Sequence, residues 1–199
     1  MAGRFRVVDT GVLEGRFNIA IDQAMIEEHQ AGRIPDTFRF MRFPPTALIG
    51  RHQALRQEVD VDHCRAHGIG IVRRITGGGA IYLDEGQLGW GLVFQRKALG
   101  ATCLAGLASD ICEAVAAGLR RLGVDARYRP RNDIEVDGRK ISGTGGFFDG
   151  DTLIYQGTVL VDMNPAAMVA ALRVPRAKLE KRQLDSAAQR VVTLRELLG

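Results

Sequence analysis

Ile134-Glu135-Val136-Asp137-Gly138-Arg139-Lys140-Ile141 decides how this chain is read. Two short β-prone runs flank Asp137-Gly138, the dipeptide a type I′ turn favours because both central residues take positive φ. A second hairpin follows, with Phe147-Phe148 and residues 152–162 on either side of Asp149-Gly150-Asp151. Toward the N-terminus, Leu88, Trp90, Leu92 and Phe94 alternate with Gly89, Gly91, Val93 and Gln95, the period of a half-buried strand. Further strands are expected over 37–43, 47–50 and 69–74, with Pro44-Pro45 turning the chain between the first two.

Helical periodicity is confined to a few segments. Phe17, Ile21, Ala24, Met25 and Glu28 predict an amphipathic helix over 18–30, stopped by Ala31-Gly32. Over 101–122, Leu104, Leu107, Ile111, Val115, Leu119 and Leu122 form one stripe, with Gly123 as the stop. Asn164 caps a short helix that has Pro165 in its first turn, and Thr193 with Glu196 makes a capping box for a last one. Hairpin strands with few helices point to an α+β fold, a mixed, largely antiparallel sheet with packed helices, rather than a doubly wound parallel sheet. No repeat or low-complexity linker divides the 199 residues, so a single domain over 1–199 is expected.

The hydrophobic share of 46% and charged share of 25% are those of a globular protein with an ordinary core. No apolar run approaches the roughly 20 residues of a membrane span, and the N-terminus has no apolar signal core. A cytoplasmic protein is the expectation, with no membrane partner. Cys64, Cys103 and Cys112 are odd in number and form no C-x-x-C pair, which argues against a disulfide framework and a cysteine zinc site. Cys103 and Cys112 are expected as small buried residues of a helix. The four histidines, His29, His52, His63 and His67, show no metal-binding spacing. The net charge of +4 is mild, but basic residues gather at Arg127, Arg129, Arg131, Arg139 and Lys140, and at Arg173, Arg176, Lys178, Lys181 and Arg182. They read equally as solvated surface or as a surface for anions, meaning a nucleotide or an acidic partner. Aromatic residues do not interleave with them, so no nucleic-acid role is expected.

Arg73-Arg74-Ile75-Thr76-Gly77-Gly78-Gly79 runs from a strand into Ala80-Ile81-Tyr82-Leu83-Asp84, itself a strand pattern. It is neither a P-loop nor a dinucleotide fingerprint, which would open a helix. Three glycines between strands allow unusual φ values and let a ligand approach bare N–H groups. Spacing alone does not separate an anion site from a tight structural turn. Nor does it decide whether Lys140, beside Gly143-Thr144-Gly145-Gly146, is a surface lysine or one held against an oxyanion.

Read in order, Arg73 through Asp84, then Arg131-Asn132-Asp133-Ile134, Gly138-Arg139-Lys140-Ile141-Ser142-Gly143 and Gln156-Gly157-Thr158-Val159-Leu160, the chain resembles the lipoate–protein ligase A family. Phe17-Asn18-Ile19-Ala20, Ile49-Gly50-Arg51-His52-Gln53 and the closing Arg190 to Leu198 motif match as well, so the resemblance covers nearly the whole chain. It implies a biotin/lipoate ligase-like fold related to class II aminoacyl-tRNA synthetases. It also implies two-step chemistry: ATP with Mg²⁺ activates lipoate to lipoyl-AMP, and a lysine of an acceptor lipoyl domain then takes the acyl group. By motif, Lys140 would contact the carboxylate or phosphate oxygens. Arg74, Thr76, Gly77, Gly78 and Gly79 would wall and hydrogen-bond the acyl-adenylate, and Asn132 and Asp133 would face the phosphate or its metal, with Asp133 an indirect Mg²⁺ contact. The lipoyl chain would lie near Leu83, Trp90 and Tyr155, with Gln156 and Gly157 beside it.

The rival within the superfamily is an octanoyl or lipoyl transferase that carries the acyl group on a cysteine near the lysine. Residues 124–139 and 153–157 hold no cysteine, which favours adenylate chemistry. A non-catalytic homologue that binds lipoate or its carrier is the remaining alternative. Two positions depart from the family's usual residues: Leu83-Asp84 stands for His-Asp, and Tyr155-Gln156-Gly157 for His-His-Gly. The C-terminal accessory domain of long ligases is missing from the pattern, so a separate accessory subunit enters the expectation, with the chain itself a monomer.

Overall fold

The computed structural model describes residues 5–96, 103–173 and 188–199. The deciding hairpin forms between β8 (Asp133–Val136) and β9 (Arg139–Asp149), and its turn has positive φ at both Asp137 (49°) and Gly138 (76°). The two hairpins share a strand: β9 runs unbroken into the Asp149-Gly150 turn and pairs with β10 (Thr152–Leu160) from Asp149 to Ser142. With β1 (Arg6–Val12), β2 (Thr37–Arg42), β6 (Gln87–Gln95) and β7 (Arg127–Arg129) they make a seven-stranded sheet in the order β1-β2-β6-β10-β9-β8-β7. Only the β1–β2 pair in it is parallel. A second sheet holds β3 (Thr46–Ile49) between β4 (Gly70–Arg73) and β5 (Ile81–Leu83). The fold is thus α+β and mixed, largely antiparallel, as the hairpins imply.

Helix α4 (Leu104–Arg121) covers one face of the large sheet. Leu107, Ile111, Cys112, Ala116 and Leu119 pack there against Phe94, Ile134, Ile141, Leu153, Tyr155 and Val159. Helix α1 (Gly15–Gln30) covers the other face, where Met25 and Ile26 meet Val93 and Ile154. The small sheet joins that side through Leu48 and Leu83 packing on Met41 and Phe43. Short helices α2 (Leu55–Glu58), α3 (Val61–Ala66) and α5 (Pro165–Ala171) flank the small sheet, and α6 (Leu194–Leu198) closes the chain.

Several local expectations are corrected. β6 is buried on both faces rather than half-buried, because α4 and α1 cover opposite sides of it. The buried stripe of α1 is Asn18, Asp22, Met25, Ile26 and His29, while Phe17 stays 63% exposed. Polar groups occupy the stripe because they have buried partners: Arg39 donates to Asp22 Oδ1 at 2.7 Å, and His29 bridges Thr152 and Asp36. Leu122 falls outside the α4 stripe, since the helix ends at Arg121 before Gly123 (φ 89°) turns the chain. Cys103 is exposed at the start of α4, whereas Cys112 is buried in the core. The Thr193 hydroxyl accepts from Glu196 N, but the Glu196 carboxylate pairs with Arg139 instead of closing the box. The first turn expected from 101 and the basic run at Arg176, Lys178, Lys181 and Arg182 lie outside the described residues.

Candidate active site

A cavity of about 430 Å³ opens between the α1 face of the large sheet and the small sheet. Ile19, Met41, Phe43, Leu48, Ile81 and Leu83 give it an apolar end. Its floor on the large sheet is nearly bare, because Gly89, Gly143, Gly145 and Gly157 all reach the surface of the cavity. Gly157 is obligatory: a Cβ there would lie 2.5 Å from the Trp90 ring, which reaches the cavity past it.

The loop from Arg74 to Gly79 forms one wall, and both arginines serve it from behind. Arg74, only 8% exposed, donates to the carbonyls of Leu48, Gly77 and Gly79 and to Thr76 Oγ1. Burial lowers its pKa to about 10. Arg73 Nη1 donates to the carbonyls of Gly50, Arg51 and Gln53. Read from sequence, Arg74 was expected to hydrogen-bond the ligand. In the structure four of its five N–H groups go to the carbonyls of Leu48, Gly77 and Gly79 and to Thr76 Oγ1, since carbonyls that no bulky side chain shields must be paired when buried. Gly77 and Gly79 have nothing within 4 Å of a notional Cβ, so their backbone is open to a ligand. Gly78 takes φ of 94° and lays its carbonyl oxygen against Gly50.

On the opposite wall, Lys140 Nζ lies 2.7 Å from Asp133 Oδ1, and Arg129 holds Oδ2 at 2.9 Å. Burial alone would raise Asp133, but the two cations outweigh it and hold the carboxyl below the usual carboxylate range. The lysine head group rests over Gly143, where a Cβ would come within 2.5 Å of Nζ. The strand that carries Lys140 is fixed from the C-terminus, because Val192 N donates to Lys140 O at 3.0 Å and Val191 bridges to it. That docking also brings Arg190 to the cavity wall. Asn132 exchanges hydrogen bonds with Thr144, whose hydroxyl reaches Tyr155 Oη at 2.8 Å.

The structure therefore brings Lys140, Asp133, Asn132, Arg74, Thr76, the three loop glycines, Leu83, Trp90, Gln156 and Gly157 to one cavity. Tyr155 is the exception. It points to the α4 face, where it is 2% exposed, and burial pushes its phenol well above the usual range. Adjacent strand residues face opposite ways, so the cavity gains Gln156 and loses Tyr155. Sequence reading missed Thr144, Asp22 and Arg190 in the wall, and Arg173, one of the basic residues read either as surface or as an anion contact, lines it too. The alternation of Gly89 and Gly91 with larger residues was a usable signal for the bare floor. Arg190 was marked only as the first residue of the closing motif. None of the three cysteines lines the cavity.

Residues 14–199 match the family of the lipoyl protein ligase A/B catalytic domain. Octanoyltransferase LipM of Moorella thermoacetica is 28% identical over all of this chain and 80% of its own length. A bi-partite lipoate protein ligase from Thermoplasma acidophilum, studied with its E2 lipoyl domain, superposes with a TM-score of 0.86 at 27% identity, over 99% of this chain and 77% of its own. A lipoate-protein ligase A bound with ATP superposes with a TM-score of 0.84 at 28% identity, over 100% of this chain and 78% of its own.

Proposed function

Since the chain belongs to the lipoyl protein ligase A/B catalytic domain family, we propose that it is an ATP-dependent lipoate–protein ligase acting on a lysine of an acceptor lipoyl domain. The observation that carries this reading is the cavity's chemistry: an apolar end, a bare glycine wall and a lysine, with every cysteine elsewhere. The apolar end takes the acyl chain and leaves its carboxylate beside Lys140. The carboxylate oxygen attacks the α-phosphorus of ATP as the bond to pyrophosphate breaks. Lys140 has three N–H donors, spends one on Asp133, and turns another to the charge that grows on the reacting oxygens. In the second step the acceptor amine attacks the acyl carbon, AMP departs with the bonding pair, and the amine proton is lost to solvent. Among the described residues no group of three or more His, Cys, Asp or Glu is placed to hold a metal. Mg²⁺ would come with the substrate phosphates, and Asp133 is the carboxylate that would make an indirect contact to it.

A second reading, octanoyl transfer through a thioester, draws on the full-length similarity to LipM. It needs a cysteine, and Cys112 lies behind the wall, its thiol 3.4 Å from the hydroxyl of Thr144, which lines the cavity. The test is a variant with Cys64→Ala, Cys103→Ser and Cys112→Ala, assayed with ATP, Mg²⁺, lipoate and a lipoyl domain. Pyrophosphate release and the mass gain of the domain should persist. Absence of pyrophosphate from the unmutated protein, even with an accessory protein supplied, would sink the ligase reading. ATP-independent octanoyl transfer that needs Cys112 would establish the second.

A further inference from the structure

The Thr76 hydroxyl accepts two hydrogen bonds, from Arg74 Nε at 3.1 Å and from Gln156 Nε2 at 2.8 Å. A hydroxyl has two lone pairs and one proton, so its proton is left for the third tetrahedral direction. Among the described residues no acceptor takes it. Thr76 is 2% exposed and lines the cavity. Arg74 can only donate, so the direction of that bond is fixed. Gln156 carries both a donor and an acceptor on its amide, and it turns the donor to Thr76. It reaches the loop from β10, a separation of 80 residues, on the same side of the sheet as Ile154, with Gly91 and Gly145 as its paired neighbours.

We propose that Gln156 is a positioning residue that fixes the polarity of Thr76, reserving the Thr76 proton for an oxygen of the acyl substrate's carboxyl group. This rests on the ligase reading, which places that group in the cavity. Two donors then line the cavity that takes the substrate, the Lys140 ammonium over Gly143 and the Thr76 hydroxyl. The specificity that follows is against a ligand of the same chain length that ends in a methyl or an ammonium group, because a reserved donor left without its acceptor penalises the wrong ligand.

Gln156→Glu tests the polarity with the side chain's size unchanged. At pH 8 the carboxylate accepts the Thr76 proton and removes the donor from the substrate. The KM for lipoate in pyrophosphate release should rise about tenfold or more, the usual scale for a hydrogen bond to a charged group, with kcat changed less. Gln156→His, which restores an N–H donor, should recover most of that loss. A wild-type KM in Gln156→Glu overturns the proposal, as does an equal loss in both variants, which would make the side chain's shape the cause. If Gln156→Glu does not fold, Thr76→Val carries the test with the same expected rise and the same refutation. If the wild-type protein releases no pyrophosphate, the ligase reading fails by itself. The proposal is then decided by the calorimetric Kd for lipoate, again expected to weaken about tenfold in Gln156→Glu and overturned if it does not.

Discussion

Gly50→Ala perturbs the glycine loop from a residue that does not line the cavity. A methyl at Gly50 would lie 2.1 Å from the Gly78 carbonyl oxygen and 3.1 Å from its carbon. To reach ordinary contact the two must separate by roughly 1 Å or more. Gly50 has little room to retreat, since its N–H donates to Gln53 Oε1 at 2.8 Å and its carbonyl accepts from Arg73 at 2.9 Å. The loop yields instead, because Gly77 and Gly79 have open space around them. Overpacking costs about 1–3 kcal/mol where nothing can move; relief by the loop puts this variant at the low end, a fall of about 2–4 °C in Tm for a chain of this size. Activity should suffer far more. Displacing a binding wall by about 1 Å costs on the order of 100-fold in kcat/KM. The assay is pyrophosphate release with ATP and lipoate, beside a thermal melt. Wild-type kcat/KM would refute the placement of Gly78 against Gly50, and a loss no larger than the unfolded fraction would refute its catalytic consequence.

Lys140→Ala should lower adenylate formation by about 100-fold or more, the scale for one preorganised charge-stabilising donor. The fold should remain, because the side chain is one-third exposed and Arg129 still holds Asp133; activity within threefold of wild type would remove Lys140 from the chemistry. Asp22 bears on stability. Burial raises its carboxyl from 3.8 to about 6 although Arg39 pulls the other way. The native state therefore holds this proton more tightly than the unfolded chain, so its contribution is full below pH 4 and lost as pH rises through about 6. Measured in denaturant, the wild type should lose stability relative to Asp22→Asn over that window, and a flat or rising difference would contradict the assignment.

The residues that announced themselves in sequence did so through local chemistry. Asp137-Gly138 made the hairpin legible because positive φ at two adjacent positions is a requirement only a few residues meet. The spaced motifs made the cavity's membership legible, from the loop glycines to Lys140. What stayed hidden was non-local. Whether Tyr155 or Gln156 faces the cavity depends on which side of β10 each takes once it is registered on β9 and β6, and a shift of one residue would exchange them. The polar stripe of α1 was invisible to a hydrophobic count because Asn18 and Asp22 are buried by an arginine on β2, 21 and 17 residues away. β1, β7 and the docking of Val192 on Lys140 likewise have no local signature.

Arg74 carries the same lesson into the chemistry. An arginine before three glycines looks like a ligand for an external anion, and glycines do leave N–H groups free for one. They also leave carbonyls bare, and in a buried loop those carbonyls need donors more urgently than a transient ligand does. The guanidinium turns inward and ties the loop to the Leu48 carbonyl on β3. The contact with substrate then passes to what the arginine orients: the open backbone of Gly77 and Gly79, and the one proton of Thr76 that Arg74 and Gln156 together leave pointing outward. On the ligase reading the arginine shapes the site by fixing the neighbours that would touch the substrate's oxygens, which is why replacing it would loosen the wall before it altered the charge.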